Sequence, residues 1–268
     1  MTATDIDAPR GPRLGSVRRW MQAILIGQAA LAAGLIWADA TSLDWSDGEV
    51  VTRPVVPVAP GDQTRRYDPA AVPGREDRGR RPDAPLDLPR EMGQLTFRFV
   101  DSDAYGRIMA LEGAIAPGDA QRFDAALADA ETPPVFVSLH SPGGSLSDAL
   151  AIGKAVREAG LNTLVVADGA CVSACPTILF GGVERHVSAD AWIGMHQSYL
   201  ANVSMIATRR AVSQVQTLQG EVIGFARDMG VDPGVHVHAL TTPPEDVYFL
   251  LPEQIEEYRV ATTLIADE

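Results

Sequence analysis

Ser173 lies at the centre of the stretch best suited to chemistry, GACVSACPTILFGG, which runs from Gly169 to Gly182. Small residues surround this serine, and an apolar run follows it. A serine hydroxyl is a weak nucleophile at neutral pH, so it needs an adjacent base and a pocket that binds negative charge. The rest of the sequence must supply both for Ser173 to act as a catalyst.

His196 is the candidate base. It lies in the stretch IGMHQS, 23 residues after Ser173, and histidine has the side-chain pKa closest to neutrality. A single histidine at the end of a strand is more often structural, so its assignment depends on the other features of the site.

A glycine pair supplies a candidate anion pocket. The stretch SLHSPGGSLSDAL places Gly143 and Gly144 between a predicted strand and a predicted helix. Glycines allow close approach of the backbone to a ligand, and N–H groups at a helix start bind negative charge. The N–H of Ala174, directly after the serine, would point to the same place, as an oxyanion hole requires. By itself, PGG predicts only a turn.

The elements around these residues predict an α/β domain. Short apolar runs such as LTFRFV, PVFVSL and NTLVVA alternate with segments of helical periodicity such as SLSDALAIGKAVREAG. This alternation predicts a mainly parallel sheet with helical crossovers, in which functional residues gather at the carboxyl ends of the strands. A long helix is predicted from about residue 204 to residue 230.

The chain resembles the proteolytic subunit of the Clp protease and the superfamily that this subunit forms with the crotonases. The resemblance rests on SPGG, on a serine among small residues at a helix start, and on MHQ. It covers roughly residues 95–265 and is closest between residues 135 and 198. It implies a ClpP/crotonase-like repeated β-β-α spiral over residues 94–268.

The resemblance also implies roles for individual residues. Ser173 corresponds to the nucleophile, His196 to the general base, and Gly144 and Ala174 to the oxyanion-hole donors. The segment TTPPEDVYFLLPEQIEEY is similar to the one that holds the orienting carboxylate, which points to Asp246, with the adjacent Glu245 as the alternative.

The implied function is that of a serine peptidase that works through an acyl-enzyme. Related membrane-bound peptidases use a lysine base, but Lys154 is the only lysine and lies far from the expected place. The acyl-CoA chemistry of the crotonase branch has no serine nucleophile. A catalytically weak or inactive member that binds peptides or partner proteins is the alternative function. No ATP-dependent partner is expected, whereas subunit contacts through the long helix are an open possibility.

The N-terminal region predicts a membrane anchor. Residues 20–37, WMQAILIGQAALAAGLIW, carry no charge and are just long enough to cross a bilayer, and arginines precede them while acidic residues follow. This predicts a cytoplasmic segment over residues 1–19 and a periplasmic catalytic domain in a bacterial inner membrane. A cleaved signal peptide ending near Ala38–Ala40 is the alternative.

Residues 38–93 predict a linker, because they are rich in Pro, Arg and Asp and lack apolar periodicity. The net charge of −13 argues against binding of nucleic acids. His236 and His238 have no third ligand at a defined spacing, so neither a metal nor another cofactor is predicted. Cys171 and Cys175 have helical i, i+4 spacing, which fits either a disulfide or two small buried side chains.

Overall fold

The computed structural model describes residues 14–42, 59–69, 92–198 and 208–266. The chain forms two units, residues 1–53 and residues 54–268. In the first unit, α1 spans Leu14–Ser42 and contains the whole apolar stretch. The large apolar side chains of Trp20, Ile26 and Trp37 are exposed. No helix in the described ranges is both long enough and apolar enough to cross a membrane.

Six strands of the second unit form the larger sheet, in the order β10-β7-β5-β4-β3-β2. Every neighbouring pair is parallel except β2 and β3, which are antiparallel. The strands are β2 (Thr96–Ser102), β3 (Gly106–Glu112), β4 (Phe136–His140), β5 (Asn162–Val165), β7 (Arg185–Ser188) and β10 (Thr263–Ile265). The prediction of an α/β domain with a mainly parallel sheet is therefore confirmed.

A smaller sheet carries the candidate catalytic residues, with the order β1-β9-β8-β6. Its strands are β1 (Thr64–Arg66), β6 (Ala170–Val172), β8 (Trp192–Met195) and β9 (Asp246–Phe249). β6 and β8 are parallel, with Val172 opposite Gly194, whereas β9 is antiparallel to both β8 and β1.

Helices follow the strands and cover the core. They are α2 (Asp119–Ala128), α3 (Leu146–Glu158), α4 (Cys175–Gly181), α5 (Thr208–Asp228), α6 (Val235–Thr241) and α7 (Pro252–Glu257). The side-chain oxygen of Ser145 accepts a hydrogen bond from the N–H of Asp148 and caps α3 directly after the glycine pair. All seven residues of α4 are buried, so the helix that follows Ser173 is fixed within the core.

The chain repeats one local order. A strand of the larger sheet leads into an extended segment of the smaller sheet, and a helix follows. β5 leads into β6 and then α4, while β4 leads into Ser141, which forms a parallel bridge with Cys171, and then into α3. This order places the turns before α3 and α4 side by side.

The structure departs from the predicted linker over residues 38–93. Within that range, residues 64–66 form β1 and pair with β9. Three residues that pair through their backbones leave no periodic pattern, which explains why composition alone indicated a tether. The long helix predicted from about residue 204 is described from Thr208 onward, so the first part of that prediction lies outside the described residues.

Candidate active site

Ser173 lies in a strained turn between β6 and α4. Its φ of 61° is in the left-handed region, which non-glycine residues adopt at a cost of about 1–3 kcal/mol and which is concentrated at functional sites. The N–H of Ser173 donates to the carbonyl of Gly194 at 2.9 Å, so the turn is attached to β8. The Ser173 side chain is half-buried and so remains partly open to solvent.

A disulfide closes this turn. Cys171 and Cys175 are bonded, with their Cα atoms 5.1 Å apart, and both residues are fully buried. The bond joins β6 to the first residue of α4 on either side of Ser173. It therefore limits how far the strained turn can relax.

Gly143 lies directly against the serine. A Cβ atom on Gly143 would come within 2.5 Å of the Ser173 Cβ and 2.8 Å of the Ala174 nitrogen. Its φ is 98°, so only glycine fits in both conformation and space. The predicted approach of the glycine turn to the nucleophile is present, and Gly143 makes the closest contact.

The two predicted oxyanion donors lie on neighbouring turns. Ile115 donates to the carbonyl of Gly143 and accepts from the N–H of Ser145, each at 2.8 Å, so it holds Gly144 from both sides. Among the described residues, the N–H groups of Gly144 and Ala174 donate to no other protein group. Both are therefore available for an incoming carbonyl oxygen.

His196 follows β8 and is only 7% exposed. Burial lowers the pKa of His196 below its ordinary value, and a backbone hydrogen bond at Gln197 opposes this shift. The imidazole is therefore neutral near pH 7, which is the protonation state that a general base needs. The ring packs against Tyr67, with ring centroids 4.6 Å apart.

The candidate third member, Asp246, is the first residue of β9. Its carboxylate lies 4.0 Å from the Arg66 guanidinium, and its side chain is 31% exposed. Within the described part of the chain, neither this carboxylate nor the Ser173 hydroxyl hydrogen-bonds to His196. The orienting role of Asp246 stays a prediction. The alternative, Glu245, is exposed and uses its carbonyl to accept the N–H of Tyr67 at 2.9 Å.

An apolar pocket lies beside the base. His196 lines it together with Leu146 of α3, Val222 of α5 and Ala239 of α6. The pocket therefore offers an apolar surface next to the imidazole. His236 lines the same pocket, and burial lowers the pKa of this second histidine as well.

The remaining histidines have structural contacts. The Nδ1 of buried His140 accepts the N–H of Ala170 at 3.0 Å, which ties β6 to the end of β4. His238 lies on α6, stacks on Tyr248 with ring centroids 4.2 Å apart and lies within hydrogen-bonding distance of Tyr258. The described residues contain no group of three potential metal ligands.

Tyr67 touches both halves of the site and was not predicted from the sequence. Its hydroxyl donates to the carbonyl of Pro142 at 2.7 Å while its ring contacts His196. One signal was present in the sequence, because Tyr67 is the single aromatic residue between Trp45 and Phe97.

No family model matches the chain, and no curated protein matches it in sequence.

Proposed function

We propose that the protein is a membrane-anchored serine peptidase that hydrolyses peptide bonds through an acyl-enzyme and without ATP. The observation that carries this proposal is the strained turn at Ser173. It presents a half-buried hydroxyl next to the glycine turn, and the neighbouring strand leads to a buried, neutral histidine.

The proposed reaction gives each of these groups a role. The Ser173 oxygen attacks the peptide carbonyl while His196 takes the hydroxyl proton, and the N–H groups of Gly144 and Ala174 stabilise the oxyanion. The imidazolium then gives its proton to the leaving amine as the C–N bond breaks. Water, deprotonated by His196, hydrolyses the ester and releases Ser173. Asp246 is the proposed orienting carboxylate.

The ClpP/crotonase-like spiral is part of the same proposal. Its support is the repeated order of large-sheet strand, small-sheet segment and helix, which occurs at β4–α3 and again at β5–β6–α4. In this arrangement the two turns after the small-sheet segments hold the oxyanion donors and the nucleophile, as the resemblance implies. Homo-oligomerisation remains an accompanying possibility.

The proposed location is the periplasmic side of a bacterial inner membrane, with a single N-terminal anchor. Its support is the exposed apolar surface of α1, the arginines before it, and a disulfide, which persists in oxidising compartments. Membrane fractionation followed by N-terminal sequencing distinguishes the anchor from a cleaved signal peptide. An intact N-terminus in the membrane fraction supports the anchor, and a new N-terminus near residue 40 contradicts it.

A second candidate function is binding of peptides or partner proteins without hydrolysis, and the apolar pocket beside His196 is the observation that favours it. The Ser173 hydroxyl and the Asp246 carboxylate do not hydrogen-bond to His196 within the described residues. Catalytic hydrogen bonds often tighten only when substrate is bound, so this geometry fits a resting peptidase as well as a binding protein.

Labelling of the purified full-length chain with a fluorophosphonate probe separates the two functions. An activated serine reacts with the probe, and we expect Ser173→Ala and His196→Ala to abolish labelling. Ser102→Ala and His186→Ala are matched controls in the larger sheet that should label normally. Absence of labelling in the folded wild-type chain would contradict the peptidase and favour the binding function.

A further inference from the structure

The β1 segment, residues 62–67, is firmly attached to the catalytic unit. Phe249 donates to the carbonyl of Gln63 at 2.8 Å, and Tyr67 donates to that of Glu245 at 2.9 Å, so backbone bonds hold both ends of the segment. The side-chain amide of Gln63 contacts the Tyr248 hydroxyl and the Gln254 side-chain oxygen, each at 2.6 Å. These contacts make the segment an integral strand of the smaller sheet.

Side chains of the segment pack on the face of the smaller sheet that lies beside the site. The Arg65 guanidinium lies 5.3 Å from the Trp192 ring centroid. Tyr67 packs against the buried cluster that contains Val172, Val247 and Phe249. Val172 is the residue directly before the candidate nucleophile, so Tyr67 is anchored beside the strained turn.

Tyr67 connects the two halves of the candidate site. Its ring rests on the His196 imidazole at a centroid distance of 4.6 Å and an interplanar angle of 41°. Its hydroxyl donates at 2.7 Å to the carbonyl of Pro142, the residue before the glycine pair. One side chain therefore touches the base and also the turn that holds the oxyanion donor.

We infer that Tyr67 is a positioning residue, which holds the His196 imidazole and the Pro142–Gly144 turn in a fixed relation to each other. This inference rests on the proposed function. The rate of the catalysed reaction depends steeply on the placement of the catalytic groups, because a displacement of about 1 Å lowers that rate on the order of 100-fold. The ring also excludes water from one face of the imidazole.

An opposite role for the same contact is a removable cover that keeps substrate from the site. The attachment of the segment by backbone pairing and by the Gln63 side chain favours the positioning role, because a displaceable cover would be held by fewer contacts. The two roles predict opposite changes when the Tyr67 ring is removed, so a single set of variants separates them.

The first test measures the titration of His196 by NMR in the full-length Ser173→Ala chain, and it does not depend on activity. Burial lowers the pKa of His196, so Tyr67→Ala should raise the midpoint toward the ordinary value, whereas Tyr67→Phe should leave it unchanged. Among the described residues that line this pocket, the other titratable group is His236, while Asp246 faces Arg66 on the next strand. An unchanged midpoint in Tyr67→Ala would overturn the inference.

Tyr105→Ala is the matched control for this titration. Tyr105 also packs near a histidine, since its ring centroid lies 6.3 Å from that of His186, but it lies in the turn between β2 and β3 of the larger sheet. We expect the His196 midpoint to stay unchanged in this variant. An equal shift in Tyr105→Ala would mean that any loss of packing moves the midpoint, which would overturn the specific role of Tyr67.

The second test measures the rate of fluorophosphonate labelling against pH in the otherwise wild-type chain. Tyr67→Ala should label at least about 10-fold more slowly, with the acid limb of the profile displaced to higher pH. Tyr67→Phe retains the ring and should recover most of the rate with the wild-type acid limb. Faster labelling of Tyr67→Ala would identify a cover and refute positioning, and an unchanged rate would also refute it.

The two proposals fail in distinguishable ways. Absence of labelling in the wild-type chain refutes the peptidase, while the His196 titration still decides whether Tyr67 positions the imidazole. If Tyr67→Ala does not fold, the Tyr67→Phe variant still tests the role of the Tyr67 hydroxyl, because it keeps the ring and removes only the hydroxyl. Loss of the bond to Pro142 should slow labelling measurably with an unchanged acid limb, and an identical rate would refute a role for that bond.

Discussion

Substitution of Gly143 by alanine tests the geometry of the site most directly. The new methyl group would lie 2.5 Å from the Ser173 Cβ, 2.6 Å from the Val172 carbonyl oxygen and 2.8 Å from the Ala174 nitrogen. Two of these atoms are backbone, and the disulfide further restrains the turn, so the neighbours cannot move aside cheaply. The variant must therefore displace the glycine turn from the serine.

The expected cost has two parts. A left-handed φ in a non-glycine residue costs about 1–3 kcal/mol, and overpacking costs about 1–3 kcal/mol more. The sum, about 2–6 kcal/mol, corresponds to a fall in Tm of roughly 4–24 °C for a domain of this size. Displacement of the oxyanion donor should also reduce fluorophosphonate labelling by about 100-fold.

The control is Gly160→Ala. Gly160 also has a left-handed φ, 67°, but a Cβ atom there would meet nothing within 4 Å. This variant should therefore lose only the conformational part, about 1–3 kcal/mol, and should label like the wild type. Urea unfolding and fluorophosphonate labelling of both variants test whether Gly143 lies in close contact with Ser173. Equal stability and equal labelling of the two variants would refute the close contact between Gly143 and Ser173.

Three further predictions concern stability in urea unfolding. Replacement of Cys171 and Cys175 by alanine should cost about 2 kcal/mol, the value that chain entropy gives for so short a loop. Burial lowers the pKa of His236, so the unfolded chain binds a proton below about pH 6.5 that the folded chain does not. His236→Phe should therefore reduce the loss of stability on acidification by up to about 1.4 kcal/mol per pH unit. Arg185→Met should cost about 3 kcal/mol, because the buried guanidinium donates to four backbone carbonyls.

Each of these predictions has a contradicting result. Two free thiols in protein matured outside the cytoplasm, found by mass spectrometry, would refute the disulfide. An unchanged slope of stability against pH in His236→Phe would refute the buried neutral imidazole. Arg227→Met is the control for Arg185, because Arg227 is 68% exposed and should change stability little. Equal losses in both arginine variants would contradict the role of the buried carbonyl contacts.

The sequence predicted the parts of the fold that depend on apolar runs. PVFVSL and NTLVVA became neighbouring parallel strands, because continuous apolar runs are typical of strands buried on both faces. The turns at Gly143 and Ser173 were also predicted in place, since glycines and small residues between a strand and a helix indicate a sharp turn with an exposed backbone.

Other parts of the site could not be predicted in the same way. β1 pairs with β9 through three residues, and backbone pairing leaves no trace in side-chain periodicity. The direction of the Asp246 side chain depends on the register of β9, in which a shift by one residue exchanges the two faces. In the structure Val247 and Phe249 face the cluster that contacts Tyr67, which places Asp246 on the other face together with Tyr248.

The pairing of β1 with β9 also has a consequence for the order of folding. Thr64 lies opposite Tyr248, so contacts that close the smaller sheet join residues about 180 positions apart in sequence. Such distant contacts form late, because the entropy of loop closure must be overcome before they stabilise the fold. A chain emerging during synthesis therefore cannot hold Tyr67 against His196 until β9, which comes late in the sequence, has been made. The contact between Tyr67 and His196 is therefore among the last to form, because it needs β1 and β9 to be paired first.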